Sequence, residues 1–208
     1  LELINKLLLP GKDAHIRLAP HQRRADMSLD IPPPPDARES AVLLLLIPDI
    51  ACTWRVLIIL RNSYNGIHSA QAALPGGKRD LTDSNLYETA LREAREEMGI
   101  LPYQIETIGF LTKLYVPPSN FIIYPLLAIS RQEIHYKPDT REVVRYTTIP
   151  INLLNPDLAI TKQFQSPTGE WLTAPGYDYD NLFIWGATAM ILSELYHLSE
   201  QGHLNPLL

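Results

Sequence analysis

Read as a string of apolar and polar positions, the chain falls into blocks with two different periods. Residues 41–47 and 54–60 are apolar runs separated by a short polar stretch, and they predict two neighbouring strands joined by a loop. Residues 105–115 and 121–129 alternate or run apolar and predict two more, with the stiff turn Val116-Pro117-Pro118-Ser119-Asn120 between them. Residues 142–150 predict a further strand, 151–155 a short helix or turn, 165–171 a hairpin tip around Thr168-Gly169, and 179–184 a last strand. Two stretches carry helical spacing instead. Tyr87, Leu91, Ala94 and Met98 form one apolar stripe, with Gly99 placed as a left-handed C-cap. Ile184, Ala187, Ile191, Leu195 and Leu198 form the stripe of a closing helix. Strands interleaved with two long helices predict an α/β (α+β) chain with a sheet between helices.

The first 40 residues read as an N-terminal extension, and 41–208 as one domain. Leu1, Ile4 and Leu8 line one face of a short helix that Pro10-Gly11 would stop. Arg17, Arg23 and Arg24 form a small basic cluster, read as solvated charge; contact with substrate phosphates or a partner subunit is the alternative. The prolines at 32–35 predict a stiff, extended lead into the core. Residues 61–74 form a long polar loop, a length that compact domains usually reserve for function, and it runs directly into Pro75-Gly76-Gly77.

Composition narrows the classes. With 208 residues, 46% apolar and 20% charged, the chain reads as an ordinary soluble domain that can bury a sizeable core. A net charge of −5 argues against a nucleic-acid surface. The single cysteine, Cys52, excludes an internal disulfide and fits a reducing, cytoplasmic setting. No apolar run is long enough to span a bilayer, and no secretory leader is visible. The six histidines are scattered without metal-ligand spacing.

The candidate chemistry sits on the first helix. Glu93, Glu96 and Glu97 project from one side of it, near its C-terminal end. Glu96 has Arg92 four residues earlier, but Glu93 and Glu97 find only carboxylates at three or four residues in either direction. Like charges at that spacing cost roughly 0.2–0.5 kcal/mol per pair, and the helix dipole disfavours acids there as well. A divalent cation reverses the sign of both terms, and hard oxygen ligands suit Mg²⁺ or Mn²⁺.

These residues resemble the signature of the Nudix hydrolases, G-x5-E-x7-R-E-U-x-E-E-x-G-U, where U is a bulky aliphatic residue. Arg92-Glu93-Ala94-Arg95-Glu96-Glu97-Met98-Gly99-Ile100 matches the second half, with Ala94 small at the first U. In the first half, Asp83 stands where Glu is expected after Gly77, and eight residues instead of seven separate it from Arg92. That longer, aspartate form is similar to the coenzyme A pyrophosphatase branch. The branch also carries a signature close to L-L-T-x-R-S-x3-R-x3-G-x3-F-P-G-G. Arg61 and Pro75-Gly76-Gly77 match it, while Asn62, Gly66, Ala70 and Leu74 replace its Ser, Arg, Gly and Phe.

The resemblance implies a Nudix-type α/β/α sandwich and metal-dependent cleavage of a nucleoside diphosphate linked to another group. Coenzyme A, split into 3′,5′-ADP and 4′-phosphopantetheine, is the leading substrate. Another nucleotide conjugate (a dinucleotide, a nucleotide sugar or ADP-ribose) is the alternative, and a non-catalytic sensor of the same fold is a second. Glu93, Glu96 and Glu97, with the Gly77 backbone, are the candidate metal site. Arg92, Glu93 and Glu96 are the candidate catalytic residues, and Glu93, Glu96 and Glu142 the candidates for the base. Arg61, His68, Gln71, Gly76, Ser119 and Asn120 are candidates for substrate contact. The expected partner is a small nucleotide, with no nucleic acid and no membrane, and the family resemblance adds a homodimer as a candidate assembly.

Overall fold

Strand β1 (Arg38–Pro48) carries the longest apolar run and is flanked on both edges within the main sheet. A computed structural model describes residues 8–28, 32–49, 53–62, 71–165 and 171–204. Before β1 come helices α1 (Gly11–Arg17) and α2 (His21–Ser28). After it follow β2 (Trp54–Arg61), β3 (Ala72–Ala73), β4 (Gly76–Lys78), α3 (Leu86–Met98), β5 (Glu106–Phe110), β6 (Leu114–Val116) and β7 (Phe121–Ile129). The chain continues through β8 (Val143–Pro150), β9 (Ile160–Gln165), β10 (Trp171–Tyr179), β11 (Leu182–Trp185) and α4 (Gly186–Glu200).

One edge of β1 runs parallel to β7 over its length, from Arg38 beside Phe121 to Leu46 beside Ile129. The other edge is shared. Antiparallel β2 pairs with it only at Leu46, Ile47 and Pro48, while β4 pairs with its first half, Ser40 beside Lys78 and Val42 beside Gly76. β2 therefore leaves β1 midway and pairs with β3 at Ile59 and Leu60, while β8 follows its opposite edge from Arg55 to Arg61. That divergence brings Arg61, the last residue of β2, to the short strand β4, and it sets the position of the functional site.

Alternation along the strands assigns the two faces. Ala41, Leu43, Leu45, Leu57, Ile59, Leu126 and Ala128 pack on Ala90, Ala94 and Met98 of α3. Leu44, Leu46, Val56 and Ile58 pack on the other side with Met190, Ile191 and Leu195 of α4, together with Leu18 and Ala19 after α1. Each large side chain buried in this way contributes roughly 1.5–3 kcal/mol. The result is a mixed sheet between helices, the expected α/β/α sandwich, with β9, β10 and β11 forming a separate three-stranded sheet.

Several local expectations are corrected. Pro10-Gly11 opens α1, where a proline lacks only an N–H that the first turn does not need. The strand expected over 105–115 is broken between β5 and β6, where the Thr112 donors turn to Glu194. Residues 179–184 are not one strand: Asp180 and Asn181 both have positive φ and make the two-residue turn of the β10–β11 hairpin. Glu142 precedes β8, which begins at Val143. The basic cluster is engaged by the protein: Arg17 pairs with Asp157 at 2.6 Å, Arg23 donates to the Tyr115 carbonyl, and Arg24 donates to the Ala19 carbonyl. The helix face at Leu1 and Ile4, Cys52, His68 and the tip at Thr168-Gly169 lie outside the described residues. No helix among the described residues is long and apolar enough to cross a membrane.

Candidate functional site

Helix α3 has defined ends and one closely packed side. The Asn85 side chain accepts the Glu88 N–H at 3.0 Å, and Gly99 takes the left-handed conformation at φ 70° that closes the helix. Ala90 and Ala94, both fully buried, put little bulk between helix and sheet, so the acids beside them come down onto β4.

Two glycines make that approach possible for different reasons. At Gly76, φ is +154° and a Cβ would lie 2.4 Å from the Ala41 carbonyl oxygen and 2.5 Å from Val42 Cα, so the backbone of β1 excludes any side chain. At Gly77 the Cβ would lie 2.5–2.6 Å from the Glu93 carboxylate. The Glu93 side chain thus rests on bare backbone.

Glu97 is the most enclosed acid of the site, 2% exposed. Its Oε2 accepts the Gly76 N–H at 2.8 Å and its Oε1 accepts from Arg61 Nη2 at 2.6 Å, while Arg61 also donates to the Gly76 carbonyl. Glu97 and Arg61 therefore hold the N–H and the carbonyl of the same β4 residue, Gly76. Burial pushes the Glu97 carboxyl up to about 7, against the pull of Arg61 and the Gly76 N–H, and the nearby charges of Glu93 and Glu142 push the same way. Burial also raises Glu93, partly offset by Arg92.

Arg92 ties the acids together. Its Nε and Nη2 donate to the two oxygens of Asp83, both at 2.9 Å, and its Nη1 donates to Glu93 at 2.9 Å and Glu96 at 3.1 Å. Nη2 also reaches the Lys78 carbonyl at 3.1 Å. This two-pronged pair holds the buried Asp83 well below the ordinary carboxylate range. Glu88, four residues before Arg92 and so within reach of it on the helix, instead accepts the Ser84 N–H at 2.9 Å.

The structure thus brings Arg61, Gly76, Gly77, Arg92, Glu93, Glu96 and Glu97 into one cluster. The two acids that lack a cation three or four residues away each gain one otherwise, Arg92 next in sequence for Glu93 and Arg61, 36 residues away, for Glu97. Among the described residues, no three acidic, histidine or cysteine side chains converge tightly enough to form a ready metal cage. The donors themselves are hard carboxylate oxygens, and burial disfavours the charged forms of Glu93 and Glu97 even beside their arginines, a penalty that a dication would offset.

The other described candidates make contacts of their own. Gln71 contributes its carbonyl to the Arg61 N–H at 3.1 Å. Ser119 Oγ donates to the Val116 carbonyl at 3.4 Å, and the Asn120 side chain accepts from Tyr115 Oη at 3.0 Å and donates to Asp36 at 3.0 Å. Asp83 was not among the candidate site residues. Its place at the acidic position of the motif was the available signal.

Comparison with known proteins agrees with this arrangement. Residues 38–172 match the model of the NUDIX domain family. A protein of Pectobacterium atrosepticum described as the uncharacterized Nudix hydrolase NudL is 31% identical over 166 residues, 76% of this chain and 81% of its own. Its counterpart in Enterobacter sp. (strain 638) is 32% identical over 187 residues, 83% and 86% of the two chains. Among solved structures, the Nudix hydrolase RenU of M. smegmatis superposes with a TM-score of 0.57 at 17% identity, covering 79% of this chain and 87% of its own. A MutT/nudix family protein from Enterococcus faecalis gives 0.53 at 15% identity, covering 91% and 73%. These two share the fold. The chain belongs to the Nudix family and is a pyrophosphohydrolase acting on nucleoside diphosphate derivatives.

Proposed function

We propose that the chain hydrolyses the diphosphate of coenzyme A or an acyl-CoA, releasing 3′,5′-ADP and 4′-phosphopantetheine. The observation that carries this reading is Asp83. The longer, aspartate form of the motif is the form that resembles the coenzyme A branch. Here that aspartate grips Arg92 with both oxygens at 2.9 Å, so the extra residue is absorbed without loss of the anchor. Arg61, at the branch's spacing before Pro75-Gly76-Gly77, supports the reading through its bonds to Gly76 and Glu97.

Nudix hydrolases generally use divalent metal ions. For this chain the proposal is Mg²⁺ or Mn²⁺, held by Glu93, Glu96 and Glu97 beside the Gly77 backbone. Bound there, the ion supplies charge neutralisation for the diphosphate oxygens and lowers the pKa of a coordinated water. Arg92 fixes Glu93 and Glu96 in register, and Asp83 fixes Arg92. Glu93 or Glu96 takes the proton of the attacking water, Glu96 being the more exposed of the two. Arg61, His68, Gln71, Gly76, Ser119 and Asn120 are the proposed substrate contacts, and a reducing cytoplasm the proposed setting.

The test is a product analysis by anion-exchange chromatography with Mg²⁺ and a panel of coenzyme A, dephospho-coenzyme A, ADP-ribose, a dinucleotide and a nucleotide sugar. The expected result is 3′,5′-ADP from coenzyme A, formed faster than AMP from its dephosphorylated form. Faster cleavage of another member of the panel transfers the assignment to that conjugate. Binding without turnover on any of them identifies a sensor.

A further inference from the structure

We propose that Arg61 is a positioning residue that competes with a divalent cation for the Glu97 carboxylate, so that metal loading and release of the Arg61 guanidinium are one linked event. The inference rests on the divalent-ion part of the function proposed above and is independent of the substrate's identity.

The geometry sets up the competition. Glu97 is nearly sealed from solvent, so its negative charge is met by protein groups and not by water. One oxygen is taken by the Gly76 N–H, and the other lies 2.6 Å from Arg61 Nη2. A dication approaching that carboxylate meets a full positive charge already in contact with it, in a setting of low effective dielectric. Arg92 raises no such conflict at Glu97, because its donors go to Asp83, Glu93 and Glu96.

Arg61 is also placed to move. It is the terminal residue of β2, about a quarter exposed, at a register shift between Leu60 and Arg61 in the pairing with β8. It also donates to the carbonyl of Gly76, on the same β4 segment that carries Gly77. A guanidinium drawn off Glu97 therefore stays within the site, where a diphosphate offers it the planar, two-oxygen acceptor that it prefers. Linkage makes the effect reciprocal: an anionic diphosphate that attracts Arg61 tightens metal binding by the same factor with which the metal tightens the diphosphate.

The experiment is a Mn²⁺ titration followed by the electron paramagnetic resonance signal of free Mn²⁺, on wild type, Arg61→Ala and Arg61→Gln. Arg61→Gln keeps a hydrogen-bond donor for Glu97 and Gly76 and so guards against a variant that fails to fold. The proposal expects both substitutions to tighten Mn²⁺ by about tenfold or more, the scale on which groups that contact a metal ligand alter affinity. It also expects a non-hydrolysable methylene-diphosphonate analogue to tighten Mn²⁺ in wild type and to tighten it by a smaller factor in both variants. A role for Arg61 as mere support for Glu97 predicts the opposite sign, weaker Mn²⁺ in both variants, and that result overturns the proposal. Unchanged affinity overturns it equally. Wild type that binds no Mn²⁺ overturns the divalent-ion reading itself, and this proposal with it.

Discussion

Among the described residues two glutamates are buried, Glu97 on α3 and Glu194 on α4, and they are treated in opposite ways. Glu194 on α4, with no exposed surface, is met by the N–H groups of Gly11 and Thr112, by the Thr112 hydroxyl at 2.6 Å and by His15 Nε2 at 2.9 Å. Glu97 on α3, almost as deeply buried, has one backbone N–H and one guanidinium, with the acids Glu93 and Glu142 adding charge of its own sign. A carboxylate that is fully satisfied holds pieces of the fold together, here α1, the β5–β6 break and α4. A carboxylate with fewer donors and with like charges beside it is available for chemistry. The difference lies in the number and kind of donors, and depth of burial does not distinguish the two.

Removing each acid tests the contrast most severely. Glu194→Ala strands four donors in the interior, and it is expected to cost about 3–5 kcal/mol of stability, read from the urea midpoint. Turnover per folded molecule should be unchanged. Glu97→Gln is expected to lose roughly a hundred- to a thousandfold in kcat. Its urea midpoint without metal should stay level or rise, since a poorly compensated buried charge is gone. Equal losses of stability in the two variants would erase the distinction.

The adjacent glycines sharpen it. Gly76→Ala drives a methyl group into the β1 backbone at a φ that favours glycine, and about 1–3 kcal/mol of stability should be lost on thermal melting. Gly77→Ala meets first the end of the Glu93 side chain, which can swing aside where backbone cannot. Stability should then hold within about 0.5 kcal/mol while kcat falls about tenfold or more, because Glu93 has left its place.

The smallest effect is a slope. The Glu97 carboxyl is raised from 4.5 to about 7 in the folded protein, so between those values the native state holds more protons than the unfolded chain. Stability of the metal-free protein should therefore decline as pH rises from about 4.5 to 7, and the decline should be shallower in Glu97→Gln. Urea melts at intervals across that range in a chelating buffer measure it. A steeper decline in the variant would contradict the assignment.

Much of this was legible along the chain, and the exceptions share a cause. The spacing of Tyr87, Leu91, Ala94 and Met98, closed by Gly99, gave α3, and alternation gave the strands on either side of the sheet. The motif singled out Glu93, Glu96 and Glu97 and the glycines they rest on. Helix spacing alone did not reveal what neutralises those acids. Arg61 reaches Glu97 because β2 parts from β1 midway, a consequence of sheet register that no local pattern carries. Glu194 interrupts an otherwise apolar stripe, three residues after Ile191 and four before Leu198, and that interruption was the readable sign of a buried acid. Its partners lie on α1, some 179 residues earlier, and in the break after β5.

The central claim is that the acids of α3, resting on β4, form a divalent-cation site. An anomalous difference map from a Mn²⁺-soaked crystal, collected near the manganese absorption edge, tests it directly. A peak within coordination distance of the Glu93 and Glu97 carboxylates is the predicted result. Well-ordered density for both side chains with no peak between them and the Gly77 backbone would contradict the account.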